Sequence, residues 1–123
     1  MYNKYHISSC KTELGMERIF VYKYFLVECK KDICRGNDRV TIMAYGIEAV
    51  CEKHVNDRVV DVCTDRIEII SPYREKILEL IEFLRTHEVS PVHLIDVVGA
   101  FADEGVEDFD READILAQSV MMV

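Results

Sequence analysis

The sequence predicts an α+β fold: an antiparallel meander of three to four strands, then a helical hairpin packed on one face, then a C-terminal amphipathic helix. Three observations support this. Residues 18–70 are rich in β-branched and aromatic residues between turn signals. Two Ser-Pro dipeptides, at 71–72 and 90–91, are typical helix starts. Residues 104–123 are acidic, with apolar residues at helical spacing.

The strongest strand signal spans residues 18–30 and has apolar residues on both faces. We therefore expect this strand to be central or covered on both sides. An N-terminal segment, residues 1–17, precedes it, and Tyr5-His6-Ile7 within this segment can form a short edge strand. Gly46 indicates a bulge or a close approach by a neighbouring strand. The other two predicted strands span residues 39–52 and 58–70, the latter with a possible break at Thr64-Asp65.

The two Ser-Pro signals predict a helical hairpin over residues 71–103. Ser71 and Ser90 are expected N-caps, so the helices would span 72–86 and 91–103. Their link has only four residues, which favours antiparallel neighbours. Gly105 is expected to end the second helix in the left-handed conformation. A separate acidic helix, about 108–119, would follow.

The length of 123 residues, half of them hydrophobic, fits a single domain over 1–123. Residues 71–123 contain four Lys/Arg and twelve Asp/Glu, which accounts for the whole net charge of −8. Because acidic helices repel phosphate, we expect neither nucleic acid nor an anionic membrane as a partner. No apolar run resembles a membrane span or a signal peptide, and five irregularly spaced cysteines favour free thiols. These features predict a cytoplasmic protein.

Two segments carry a resemblance: Tyr45-Gly46-Ile47-Glu48, and the run from Val89 through Ser90-Pro91 to Val98. With Tyr22–Leu26 and Ile70–Ile77, they resemble a family of short uncharacterised proteins from Gram-positive bacteria, over about residues 19–103. The resemblance implies a small cytosolic domain and no catalytic residues. It implies that the N-terminal segment, residues 1–17, and the chain beyond Asp103 are additions to the family's domain.

Few residues suggest chemistry. Cys29, Cys34, Cys51 and His54 lack the paired Cys-x2-Cys spacing of zinc sites, and Cys51 with His54 lacks further signs of a catalytic thiol. His93 and Asp96, three residues apart at a helix start, can form an acid–base pair, but an exposed helix start with an acidic residue favoured by the helix dipole explains them better.

An acidic cluster lies around the predicted end of the second helix, without the regular ligand spacing of a calcium loop. A solvated charged face explains it best. Its members are Asp103, Glu104, Glu107, Asp108 and Asp110.

No catalytic set or cofactor motif is visible, so the sequence favours a non-enzymatic module that binds another protein or itself through helix faces or a sheet edge. The alternative is a small enzyme, or a metal- or ligand-binding protein, with a pocket between sheet and helices. The C-terminal helix is the expected interaction element, because an isolated helix of this length must pack on something. Its apolar stripe consists of Val106, Phe109, Ala113, Leu116 and Val120.

Overall fold

The computed structural model describes residues 2–15 and 17–121, with side chains through residue 118. Four strands form one antiparallel sheet in the order β1-β2-β3-β4, and two α-helices follow. The α+β prediction and its antiparallel meander are therefore confirmed. The elements are β1 Asn3–Glu13, β2 Arg18–Arg35, β3 Asp38–Val55, β4 Arg58–Ser71, α1 Arg74–Thr86, a short 3-10 helix Pro91–His93, and α2 Leu94–Met121.

The N-terminal segment is part of the sheet. Its strand β1 runs for 11 residues along β2, far beyond the short Tyr5-His6-Ile7 strand that the sequence predicted. All but one of the positions from Asn3 to Ser9 are exposed. Because neither side of this part of β1 is buried, its sequence lacks the alternation of apolar and polar residues that predicts a strand. Pairing with β2, which lies inside the sheet as expected, supplies the backbone hydrogen bonds that fix this strand.

β2 and β3 are each 18 residues long and outreach their neighbours. β1 pairs with β2 only up to Glu28, and β4 pairs with β3 only from Tyr45. Residues 29–44 therefore form a two-stranded projection, here called the arm, which ends in a turn where Gly36 has φ +63°. A positive φ at this position suits glycine, which has no Cβ to clash.

Gly46 allows β4 to bulge towards β3. The register passes from Ile47↔Ile67 to Tyr45↔Ser71, so β4 has extra residues here, and a Cβ on Gly46 would lie 2.0 Å from the carbonyl oxygen of Ile67. The bulge expected from this glycine is confirmed. Thr64-Asp65 does not break the strand, since both residues continue the pairing with β3.

The larger hydrophobic cluster, here called the main core, lies between one face of the sheet and the helices. Tyr24, Leu26, Ile47 and Ala49 come from this sheet face, and Tyr24 donates a hydrogen bond of 2.7 Å to the carbonyl oxygen of Val89. That bond fixes the link between the helices above the sheet. The helical members of the main core are Ile77, Leu80, Ile81, Leu84, Leu94 and Val98.

α1 ends in a Schellman motif. The N–H of Val89 donates to the carbonyl of Leu84, the N–H of Glu88 donates to that of Arg85, and Glu88 has φ +51°. α1 starts two residues later than predicted. The N-cap of α1 is Tyr73, so the prediction of Ser71 as this cap is wrong; Ser71 accepts a hydrogen bond from the Tyr73 N–H at 3.0 Å, just before the helix. Ser90 is the N-cap of the 3-10 helix, but its side chain makes no capping bond.

The predicted separate C-terminal helix is wrong, because α2 continues from Leu94 to Met121 through Gly105. Gly105 does not terminate a helix; it lets α2 pass the end of β4. A Cβ there would lie 1.7 Å from the carbonyl oxygen of Ile70. Beyond this point α2 reaches the opposite face of the sheet, where Phe109 and Ala113 pack on the arm residues Ile42 and Ala44. These four residues are here called the arm cluster.

The helical hairpin packing is not confirmed, since a groove separates α1 from α2. The helices are apart because α2 packs closely on the end of β4 and not on α1. Gly105, which has no Cβ, permits this close approach. In the part of the chain that the structure describes, neither helix has the length and apolarity needed to cross a membrane.

Candidate functional site

The groove between α1 and α2 has a volume of about 320 Å³ and is mainly apolar. Ile70, Ile77 and Leu80 are buried residues that line its base. Phe83 of α1 and Phe101 of α2 line it with side chains that remain 45% and 44% exposed. Two half-exposed aromatic residues across a groove can be covered by an apolar group of a partner, and aromatic residues often dominate binding energy.

Charged residues surround this groove. Lys76 donates to Asp108 at 2.8 Å, and this hydrogen bond raises the pKa of Lys76. Asp108 is buried and also accepts from Arg111 at 3.3 Å. Glu79 and Glu104 line the groove and have no ion-pair partner within the described residues. The lone cation of the lining is thus neutralised, and the groove presents a negative rim.

A tyrosine at the start of α1 forms a hydrogen bond with the second half of α2 near this rim. Tyr73 donates to Glu112 at 2.8 Å, and this contact raises the pKa of the Tyr73 hydroxyl. Together with the Lys76–Asp108 pair, it links the start of α1 to α2 beyond Gly105. The position of the groove wall is therefore set by contacts that are distant in sequence.

Both edges of the sheet have features that oppose pairing with another strand. On β4, the Val62 N–H donates to its neighbour Asp61 at 3.0 Å, and the Arg66 N–H donates to Asp65 at 2.8 Å. A bulge interrupts β1 between His6 and Ser8. Aspartates that occupy edge N–H groups, and bulges that bend an edge, are devices against edge-to-edge association.

The polar candidates from the sequence do not assemble into a catalytic site. His93 and Asp96 are 3.9 Å apart, with side chains 67% and 82% exposed, so the pair lies open to solvent. Cys51 and His54 lie on opposite faces of β3, where His54 contacts Glu52 at 3.1 Å. Among the residues with described positions, no group of three or more His, Cys, Asp or Glu can hold a metal ion.

The acidic cluster around Gly105 is divided among different contacts. Asp108 pairs with Lys76 and Arg111, while Asp110 pairs with Arg35 at 2.6 Å. Glu104 lines the groove. These carboxylates therefore have different partners along the helix and do not form one shared site.

The apolar stripe expected to bind a partner is split by the fold. Phe109 and Ala113 are buried in the arm cluster, at 2% and 0% exposure, and so contact their own chain. Val106 and Leu116 remain exposed. The side chain of Val120 lies outside the described residues.

Sequence reasoning missed the groove. Phe83 lies outside the buried stripe of α1, whose members are Ile77, Leu80, Ile81 and Leu84, and it is exposed. A large aromatic residue outside an apolar stripe was the available signal, because such a residue is exposed unless another surface covers it. Phe101 lines the same groove because of the path of α2, which no local sequence pattern predicts.

Comparison with known proteins gives a family but no activity. No curated protein and no solved structure matches the chain. A model of a family of unknown function, DUF6514, matches residues 3–104. The match includes β1, so the N-terminal segment is not the addition that the resemblance suggested, and it ends one residue before Gly105. The chain therefore belongs to this family of unknown function, DUF6514.

Proposed function

We propose that the protein is a bacterial, cytoplasmic protein-binding module whose groove between α1 and α2 accepts a basic amphipathic segment of a partner. The observation that carries the proposal is the pair of half-exposed aromatic residues, Phe83 and Phe101, beneath an acidic rim. Helix-in-groove recognition uses apolar anchors on one face of the bound segment. The rim adds a preference for cationic side chains beside those anchors.

Charge selects the basic partner over a second copy of the chain. Residues 71–123, which include both helices, carry the entire net charge of −8. Two such surfaces would repel each other, whereas Lys or Arg of a partner would meet Glu79 and Glu104. The exposed Val106 and Leu116 of α2 do not line the groove and stay outside this contact.

The features of the sheet edges favour the helices as the binding surface. An added strand would have to displace Asp61 and Asp65 from the edge N–H groups of β4. The groove requires no such displacement. Its apolar surface is available in the folded chain, so binding a partner there removes apolar area from water directly.

A second candidate is a small-molecule-binding protein or a small enzyme that uses the same groove. The volume of about 320 Å³ is at the lower end of the range for ligand pockets. The lining favours an apolar ligand with a cationic group. It supplies no paired nucleophile and base in hydrogen-bond contact.

The test measures binding of a fluorescent Leu/Lys model helix by anisotropy, with a Leu/Glu helix of the same length as the charge control. We expect the Leu/Lys helix to bind more weakly as salt rises. Phe83→Ala and Phe101→Ala should each weaken binding about tenfold, since loss of a buried aromatic anchor typically costs more than 1 kcal/mol.

Val92→Ala is the matched control, because Val92 is 72% exposed and does not line the groove. Its binding should equal that of the unmodified chain. Equal binding of the acidic helix, or no effect of the two phenylalanine substitutions, would contradict the proposal. Dimers that persist at high dilution in sedimentation and require Phe83 would instead indicate self-association through the groove.

A further inference from the structure

Two cysteines face each other across the last β-hairpin. Cys51 of β3 is paired with Cys63 of β4 in the register, and directly opposite residues of antiparallel strands extend their side chains from the same face. Both are free thiols; Cys63 is exposed and Cys51 is half-buried. The other three cysteines have no cysteine opposite them, because Cys10 pairs with Tyr22, Cys29 with Ala44 and Cys34 with Arg39.

We propose that Cys51 and Cys63 form a modification site at which a peroxide produces a reversible cross-strand disulfide. The inference is independent of the groove, since neither cysteine lines it.

The chemistry divides into two balanced steps. The Cys63 sulfur attacks one oxygen of hydrogen peroxide, the O–O bond breaks, and the thiol proton leaves with the other oxygen as water, which gives a sulfenic acid. The Cys51 sulfur then attacks the Cys63 sulfur, the S–O bond breaks, and the Cys51 proton leaves with the hydroxyl group as a second water. Two thiols are oxidised and one peroxide is reduced.

The exposures set the order of these steps. Cys63 is accessible to the oxidant, whereas Cys51 is partly covered. Burial, followed by the neighbouring Cys63, Asp61 and Glu52, raises the pKa of Cys51. Because Cys63 is the more accessible thiol, it is oxidised first, and Cys51 serves as the resolving thiol.

The hairpin permits the bond at the cost of some strain. Opposite Cβ atoms in antiparallel strands are about 4.5–5.5 Å apart, and a disulfide requires about 3.5–4.5 Å. β4 can move closer to β3 because it is an edge strand, hydrogen-bonded on one side only. A bulge between the positions of Lys53 and His54 adds freedom two residues from Cys51. A strained disulfide of this kind is readily reduced, which makes the modification reversible.

The test treats the full-length protein with excess hydrogen peroxide, counts free thiols, and maps peptides without reduction. Trypsin separates the two cysteines by cutting after Lys53 and Arg58. We expect the five thiols to fall to three, a linked Cys51–Cys63 peptide, and full recovery with dithiothreitol.

Three variants make the result specific. Cys34→Ser removes the other exposed cysteine, and it should still lose two thiols to the same linked peptide. Cys51→Ser and Cys63→Ser should each yield no intramolecular disulfide. Retention of all five thiols, irreversible sulfinic acid at Cys63, or links among the other cysteines without a Cys51–Cys63 peptide would overturn the proposal.

Discussion

The main core and the arm cluster both contain residues of α2, but they are stabilised in different ways. In the main core, α1 and the first part of α2 cover one sheet face with aliphatic side chains that are almost fully buried. In the arm cluster, the second part of α2 packs on the arm through two buried side chains among the described residues, Phe109 and Ala113. Since burial of each large aliphatic side chain contributes about 1.5–3 kcal/mol, the main core supplies most of the stability.

Polar contacts supplement the small area of the arm cluster. Arg35 of the arm donates to Asp110 at 2.6 Å and to Asp114 at 2.8 Å, and Lys31 lies 4.6 Å from the centre of the Phe109 ring. These contacts are partly exposed to solvent and therefore weak and sensitive to salt. The comparison teaches that a continuous helix can connect a strongly stabilised region with a weakly stabilised one.

The family match follows the same division. It includes both strands of the arm and all helical residues of the main core, but it ends at residue 104, before Phe109 and Ala113. The part of α2 that covers the arm therefore lies outside the matched region.

The largest expected effect comes from the junction between the two regions. Gly105→Ala places a Cβ against the Ile70 carbonyl oxygen, so α2 must move away from β4, and we expect a loss of about 3 kcal/mol in urea denaturation. Gly99→Ala is the matched control on the same helix. Nothing lies within 4 Å of its added Cβ, and the better helix propensity of alanine should stabilise the chain by up to about 1 kcal/mol. Similar losses in both variants would show that the close approach at Gly105 is unimportant.

A smaller effect is expected where β4 ends and α1 begins. Ser71→Ala removes the acceptor for the Tyr73 N–H in a buried position, which should cost about 1 kcal/mol in the free energy of unfolding. Ser90→Ala should cost close to zero, because its side chain makes no capping bond. Equal costs would mean that the Ser90 side chain makes a stabilising hydrogen bond as well, as the predicted N-cap would.

The smallest effect concerns the ion pairs of the arm cluster. Arg35→Gln should lower the free energy of unfolding slightly at low salt, and the difference should shrink as salt rises. Arg39→Gln is the control on the same arm, since Arg39 pairs with Asp32 of the neighbouring strand instead of with α2. A large loss for Arg35→Gln that salt leaves unchanged would place this contact among the main determinants of stability.

The sequence by itself determined the α+β class, the antiparallel meander and the central strand. Each rests on a local signal: β-branched and aromatic runs, or apolar residues at helical spacing, must be buried in any fold of this chain. Gly46 also belongs here, because a glycine within a strand indicates a bulge or a close approach, and both occur.

Only the tertiary structure decided how far α2 continues and which surfaces remain open. Gly105 gives the same local signal for a helix end as for a close approach, and the carbonyl of Ile70, distant in sequence, selects the second. Phe83 and Phe101 line the same groove because α2 runs beside β4, while Phe109 is buried because α2 then reaches the arm. Local pattern tells which residues are apolar, but the path of the backbone decides which of them are covered.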